Sequence, residues 1–270
     1  MPELPEVETI RRGLHRRLRG ARAIAVEVRE PRLRRAIDVE RLRELVGRRV
    51  SAVERRAKYL LVRLEGGLVW LVHLGMSGRL LVLPAAAPRG DHEHVRVTFD
   101  GGFAVAYRDP RRFGLMKLGR EEDLVELSGL GPEPLDGGLA GEWLGRKLRA
   151  TRREVKAVLL DQRVVAGIGN IYASEILFRA GVRPTRRSYR LTRVEVARII
   201  DATREVLDLA IASRGTSFSD YFDVAGERGS FQTRLAVFDR AGQDCVRCRA
   251  AIKRRVHGGR SSFYCPRCQT

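Results

Sequence analysis

Apolar positions change their period twice along this 270-residue chain. Near the start, Val7, Ile10, Leu14 and Leu18 recur at helical spacing, which predicts an amphipathic helix with Arg11, Arg12, His15, Arg16 and Arg19 on its other faces. Asp38 reads as the cap of a short second helix that ends near Gly47. Most of the remaining sequence up to about residue 120 falls into short apolar runs: AIAVEV, YLLVRL, LVWLVHL, RLLVL, VRVTF, FAVAY and GLMKL. Gly, Pro and Asp punctuate them, as in the strands of a sandwich or barrel. Residues 129–145, GLGPEPLDGGLAGEWLG, are rich in Gly and Pro and read as a linker.

Beyond that stretch the period becomes helical. Helices are expected over 153–162 and 170–180, on either side of AGIGN, with Gly181 and Pro184 stopping the second. Thr192-Arg-Val-Glu195 is a capping box for a helix running to about Ser213. A Gly/Ser/Asp-rich loop and a tail bearing all four cysteines complete the chain, and no internal repeat is present. The resulting expectation is an α+β chain with a β-sandwich and flanking helices over 1–130, a linker over 131–150, a helical domain with its loop over 151–231, and a terminal hairpin module over 232–270.

The tail carries the most specific local signal. Cys245-x2-Cys248 and Cys265-x2-Cys268 have 16 residues between them. That spacing suits four thiolates closing a tetrahedron around one structural Zn2+, with two disulfides as the alternative. Between the pairs, IKRRVHGGRSSFY reads as a β-hairpin turning at Gly258-Gly259. Arg254, Arg255 and Arg260 on it suit a phosphate backbone, or else form a solvated face.

Charge narrows the class of partner. With 44% hydrophobic and 31% charged residues the chain is not a disordered one. It carries 52 Lys+Arg against 33 Asp+Glu, a formal net charge of +19 spread along its whole length. A polyanion is implied, either nucleic acid or an anionic membrane. Only five of the basic residues are Lys; a genomic bias explains the preference for Arg but not the excess of positive charge. No apolar run approaches the roughly 20 residues of a membrane span, and the start lacks the basic and apolar segments of a signal peptide. A cytoplasmic protein is expected, with its cysteines used for metal. In VVAGIGNIYASEILF a glycine turn precedes a helix, which suits phosphate binding with Asn170 as an added donor at the cap, or a plain helix connection. It is no dinucleotide fingerprint, because G-x-G-x-x-G and a βαβ unit are both missing.

Several rare strings occur in a fixed order: MPELPEVET at the start, RRAKYLL at 55–61, HLGMSG at 73–78, DPRRFG at 109–114, LGPEPL at 130–135, GIGNIYASE at 167–175 and GRSSFYCPRC before the end. In these the chain resembles the formamidopyrimidine-DNA glycosylase family of bacterial 8-oxoguanine repair enzymes, over essentially its whole length. The resemblance implies an N-terminal β-sandwich, a helix-two-turn-helix domain and a zinc ribbon, with DNA held between them. It implies a monomeric glycosylase and AP lyase that removes oxidised purines from double-stranded DNA, in the bacterial cytoplasm and on the nucleoid through that DNA. The sister enzyme for oxidised pyrimidines, endonuclease VIII, usually begins PEGPE, whereas this chain has PELPE and the complete DPRRFG. A non-catalytic scaffold on the same fold need not retain Pro2, Glu3 and Lys58 together.

The resemblance also gives roles to residues. Once Met1 is removed, Pro2 presents a secondary amine, and α-amino groups titrate near a pKa of about 8, which leaves a usable nucleophilic fraction at neutral pH. Attack on a sugar C1′ yields an iminium ion, and the resemblance assigns the neighbouring Glu3 the acid role. Glu6 either positions water or substrate or serves as a helix N-terminal carboxylate; Glu8 reads as the latter. The resemblance places Lys58 in the active site and Arg260 at the final elimination and the flanking phosphates. Met76 and Phe113 fill the hole left by a flipped base, and Arg111 donates to the orphaned cytosine. His92, Arg152, Lys156 and Asn170 fall at DNA-contacting positions, while His15, His73, His94 and His257 read as structural or surface residues. Loop 214–231 corresponds to the family's lesion-recognition loop but reads Gly229-Ser230-Phe231 where an aromatic commonly replaces Ser230, a departure that bears on base selection.

Overall fold

The computed structural model describes residues 2–217 and 221–270. Its first compact unit comprises Met1–Ser128 with Ser213–Gln232, and its second comprises Gly129–Ala212 with Thr233–Thr270. The first begins with α1 (Leu4–Leu18), β1 (Ala23–Val28) and α2 (Val39–Arg43). β2 (Val50–Arg56), β3 (Tyr59–Leu64), β4 (Leu68–His73) and β5 (Arg79–Pro84) follow, then β6 (Glu93–Phe99), β7 (Phe103–Arg108) and β8 (Leu115–Arg120). The strands form two antiparallel four-stranded sheets, in the orders β1-β6-β7-β5 and β2-β3-β4-β8.

The pleat sorts the side chains. Leu60, Val62 and Trp70 join Val97, Val105 and Tyr107 of the other sheet in one core, whereas Leu61, Val69 and Leu71 face the opposite way and pack with Leu115 and Leu124. The expected sandwich is therefore present. Val7, Ile10, Leu14 and Leu18 of α1 enter the same main core, each burial contributing about 1.5–3 kcal/mol. α2 is capped as expected, by the Asp38 carboxylate accepting the Arg41 N–H at 3.0 Å. β2 went unforeseen. Its register shifts between Val50 and Ala52, so its buried residues, Val50 and Val53, stand three apart and hide the alternation of a strand.

The second unit contains α3 (Gly141–Arg149), α4 (Val155–Leu159), α5 (Asn170–Ala180), α6 (Arg193–Ala212) and a hairpin of β9 (Lys253–His257) and β10 (Arg260–Tyr264). α3 lies in the stretch read from sequence as linker 131–150. The Gly and Pro content masked a four-residue repeat, Leu144 and Leu148, both of which are buried. The α6 capping box is as expected: Glu195 N–H donates to the Thr192 hydroxyl at 3.2 Å, and Thr192 N–H donates to the Glu195 carboxylate at 2.8 Å. α5 is sheathed on almost every side, and its Glu175 accepts N–H bonds from Ala236, Val237 and Phe238 at 2.9, 3.0 and 2.8 Å. Burial pushes that carboxyl upward against the three N–H donors that favour its charged form. No helix of the described residues is long and apolar enough to cross a membrane.

The segment that follows α6 was assigned from sequence to the helical domain, as loop 214–231, yet Ser213–Gln232 groups with the first unit. The reason lies in its contacts. Thr216 N–H donates to Glu6 Oε1 at 2.7 Å, and Val82 N–H donates to the Val224 carbonyl at 2.9 Å, extending the β5 edge. The guanidinium of Arg79 lies 4.4 Å from the Phe222 ring centre, with that of Arg228 at 5.3 Å. Phe218, Ser219 and Asp220 of this loop lie outside the described residues.

Gly13 of α1 sets how closely this segment docks, because a Cβ there would meet Val224 Cγ2 at 2.4 Å. In Gly13→Ala, the helix itself gains about 1 kcal/mol of propensity, but Val224 must move away. Hydrogen exchange at residues 221–227 is expected to accelerate while that of α1 stays the same or slows. Unchanged exchange at 221–227 would show that Gly13 does not control the docking.

Candidate active site

The head of α1 is built by two carboxylates. Glu3 and Glu6 are both 2% exposed, and Pro2 is buried beside them. Glu3 is the N-cap: its side chain accepts the Glu6 N–H, while Glu3 N–H donates to Glu6 Oε2 at 2.8 Å. This is a reciprocal capping box made from two glutamates. Glu6 is thus the helix N-terminal carboxylate, and its other oxygen, Oε1, takes the Thr216 N–H. The Tyr221 hydroxyl reaches the Glu6 carbonyl at 3.4 Å. Glu8 is a structural acid, as the sequence suggested. Burial works to raise its carboxyl, but bonds to Arg11 and Arg12 and the charge of Arg55 hold it below the usual range.

Lys58 sits in the tight turn between β2 and β3, following Ala57 at φ 54°, and is 7% exposed. Its charge acts on His73, whose ring packs against Tyr59 at 4.8 Å. His73 Nδ1 accepts the Gly75 N–H at 3.0 Å, which leaves Nε2 to carry the ring proton. Burial first, then Lys58 and Arg34, push the His73 pKa down to about 4. A neutral imidazole therefore lies near the Lys58 ammonium at neutral pH.

Met76, Arg111 and Phe113 occupy two loops that touch. Gly75, at φ 63°, is where they meet: a Cβ there would come within 2.4 Å of the Phe113 backbone. Met76 and Phe113 are 40% and 43% exposed. The Arg111 guanidinium lies 4.7 Å from the Phe113 ring centre. His92 is exposed at φ 56°, and its carbonyl accepts the Asp109 N–H at 3.1 Å. Asp109 itself, wholly buried beneath these loops, was not singled out from sequence. Its place at the head of DPRRFG was the available signal.

The second unit holds the remaining candidates. Lys156 is 3% exposed, and its ammonium donates to the Ser261 carbonyl at 2.9 Å, next to the exposed Arg260 on β10. Arg152 is exposed, with its carbonyl accepting from Arg187 at 3.0 Å. Asn170 does not hold the cap position expected of it. Gly169, extended at φ −128°, is the N-cap, and Asn170 is the first helical residue. Its Oδ1 is buried with no hydrogen-bond partner among the described residues. The turn before it is held by Gln162, which accepts from Gly167 N–H at 2.9 Å and donates to the Ile168 carbonyl at 2.8 Å.

The sulfur ligand atoms of Cys245, Cys248, Cys265 and Cys268 all lie within 4.8 Å of one another, and all four cysteines are free of disulfides. N–H groups of Arg247 and Cys268 point at Cys245 and Cys265 sulfur at 3.4 Å, as suits thiolates turned toward a cation. Four soft donors in a closed set fit one structural zinc and leave no coordination site for chemistry. Gln269 fastens this knuckle to the turn just after α5, accepting from Cys265 N–H at 2.9 Å and donating to the Val182 carbonyl at 2.9 Å.

Comparison with known proteins agrees along the whole chain. Residues 1–116 match the formamidopyrimidine-DNA glycosylase N-terminal domain, 130–221 the H2TH domain of the same proteins, and 242–270 a zinc finger found in FPG and IleRS. The formamidopyrimidine-DNA glycosylases of Laribacter hongkongensis and Thioalkalivibrio sulfidiphilus are 47% and 45% identical, over 100% of both chains in each case. Among solved structures, the MutM (Fpg) protein of Thermus thermophilus matches with a TM-score of 0.90 at 40% identity, covering 99% of this chain and 98% of that one. A Lactococcus lactis FPG variant in complex with Fapy-dG-containing DNA matches with a TM-score of 0.93 at 32% identity, covering 100% of both.

Two measurements test these assignments. Elemental analysis should find about one zinc per chain, falling to near zero in Cys248→Ser together with loss of hairpin order by NMR; full zinc retention would remove Cys248 from the ligand set. The second concerns His73, whose folded pKa of about 4 lies below the ordinary 6.5. Its contribution to stability is complete above about pH 6.5 and is lost as the pH falls to about 4, because the unfolded chain takes up the proton first. In urea melts, the stability gap between wild type and the non-titrating His73→Asn should shift by about 3 kcal/mol between pH 7 and pH 4. A gap independent of pH would contradict the assignment.

Proposed function

Because the chain belongs to the formamidopyrimidine-DNA glycosylase family, we propose that it excises 8-oxoguanine and formamidopyrimidines from duplex DNA and cleaves the strand at the resulting site. The observation that carries this reading is the head of α1, where Pro2 adjoins two buried carboxylates in a chain of net charge +19. Buried acids there lie in a molecule otherwise suited to a polyanion.

After removal of Met1, the Pro2 nitrogen attacks C1′ of the damaged nucleotide. A C–N bond forms to the enzyme as the bond from C1′ to the base breaks, and the base departs with a proton. Glu3 assists proton movement at the opening sugar. Its carboxyl is already oriented by the Glu6 N–H. The iminium ion then acts as an electron sink. Loss of a C2′ proton expels the 3′ phosphate, and a second elimination expels the 5′ phosphate, leaving a one-nucleotide gap. Lys58 serves near the target phosphate and damaged base. Arg260, with its strand tethered by Lys156, grips the flanking phosphates and assists the last elimination; Arg152 and Asn170 bind the backbone. Met76 and Phe113 fill the vacated stack, Arg111 reads the orphaned cytosine and His92 contacts DNA. The chemistry belongs to the N-terminal sandwich, and backbone gripping belongs to the helix-two-turn-helix and ribbon modules. The protein works as a monomer in the bacterial cytoplasm, on the nucleoid.

Borohydride trapping on a duplex with one 8-oxoguanine opposite cytosine tests this directly. Wild type should give a covalent band, and Pro2→Gly and Glu3→Gln should each reduce it by about 100-fold or more. Trapping mainly on a dihydrothymine duplex would move the protein to the pyrimidine-repair branch. Binding without a band on either duplex would leave a non-catalytic DNA-binding protein.

A further inference from the structure

Beneath the loops carrying Met76, His92, Arg111 and Phe113 lies a residue with no surface at all. Asp109 is 0% exposed, and its side chain uses both oxygens. Oδ1 accepts the Ser77 hydroxyl at 2.6 Å, and Oδ2 accepts the Tyr107 hydroxyl and the Gly114 N–H, each at 2.9 Å. Ser77 passes the connection on, its oxygen accepting the Arg111 N–H at 3.3 Å. The backbone of Asp109 is equally engaged. Its N–H donates to the His92 carbonyl at 3.1 Å, and its carbonyl bonds His94 Nε2 at 2.8 Å and the Arg112 N–H at 3.1 Å.

Most of these bonds fall on or beside one of the four candidate DNA contacts; those to Tyr107 and His94 do not. Ser77 follows Met76 and in turn takes the Arg111 N–H, Gly114 follows Phe113, Arg112 lies between Arg111 and Phe113, and the His92 carbonyl takes the Asp109 N–H. Tyr107 closes the arrangement from below. Burial, and then the neighbouring Asp109 charge, push its phenol upward, so it remains a donor at any working pH. Gly114 allows the close approach, because a Cβ there would lie 1.7 Å from the Tyr107 hydroxyl oxygen.

We propose that Asp109 is the positioning residue for opposite-strand reading, holding the loop 74–78 and the loop 109–114 as one rigid reader. The inference rests on the glycosylase reading above. Met76 and Phe113 are partly exposed, so their direction depends on the backbone that Asp109 fixes. Discrimination by Arg111 requires its donors to stay within a few tenths of an ångström and some 10–20° of the base edge. A loosened reader would still let Pro2 react but would no longer distinguish the orphaned base.

Asp109→Asn tests this, because the amide keeps the shape but replaces one acceptor oxygen with a donor. Ser77→Ala is the milder companion, removing only the hydroxyl between Asp109 and Arg111. Three substrates are compared: a single-stranded abasic oligonucleotide, which needs only the Pro2 chemistry, and 8-oxoguanine duplexes with cytosine or adenine opposite. Trapping on the single strand should stay within about twofold of wild type, while kcat/KM on the cytosine duplex falls about 10- to 100-fold and the cytosine-to-adenine ratio collapses toward one. Ser77→Ala should fall between. An equal loss on all three substrates, or an unchanged ratio, overturns the proposal. Should Asp109→Asn fail to fold, the ratio in Ser77→Ala alone decides. Failure of wild type to trap on the single strand would count against the glycosylase reading instead.

Discussion

One carboxylate joins the two ends of the first unit. Glu6 holds the start of α1 with Oε2 and takes the N–H of Thr216 with Oε1. A bond from a buried carboxylate to a backbone N–H is charge-assisted and about twice as strong as a neutral one. Leaving such a donor unpaired in the interior costs about 1–3 kcal/mol. The position of the segment 213–232 is therefore linked to the geometry of Pro2 and Glu3. Gly13 and Val224, two turns further along the same face of α1, add an apolar contact to the polar one. Helix start, candidate nucleophile and returning segment make a single mechanical object.

The same device recurs. Asp109 gathers two loops, and Glu175 gathers the three consecutive N–H groups of Ala236–Phe238. An acid is well chosen for this task because it offers several acceptor positions and no competing donor. The chain holds many arginines, most of them outside, where they serve charge and solubility. Several of its buried acids, Glu6, Asp109, Glu175 and Glu195, instead bind backbone N–H groups, while Glu93 pairs with the buried Arg96. The division explains how a chain of net charge +19 keeps precise internal geometry without relying on surface ion pairs, which contribute little individually.

Sequence patterning made most of this fold legible. The α1 stripe, seven strands, the α6 capping box and the four-cysteine knuckle follow from local periods and spacings. β2 escaped because a register shift breaks its alternation, and α3 because Gly141, Gly145 and nearby prolines dilute a helical signal. At the candidate site, short motifs singled out individual residues, but the partners could not be read. That Glu6 meets Thr216, or that Asp109 underlies Met76, depends on contacts between positions far apart in sequence, and no local period encodes those. Asn170 shows the reverse error: a capping side chain was expected where a glycine, needing none, already held the turn.

Composition gives one further clue once burial is known. Of the five lysines, only Lys58 and Lys156 are buried, at 7% and 3% exposed, and both are candidate site residues. Lys117 and Lys147 are half-buried and Lys253 is exposed. A chain so inclined to arginine keeps lysine where a compact ammonium on a slender stem fits and a planar guanidinium with five donors does not. At Lys156 the fit is visible, since the ammonium reaches a single carbonyl on Ser261. At Lys58 the turn between β2 and β3 confines the side chain beside His73, which burial keeps neutral. Preference for arginine elsewhere thus makes each buried lysine a mark of steric and electrostatic demand, and the two marks fall on the two units' candidate sites.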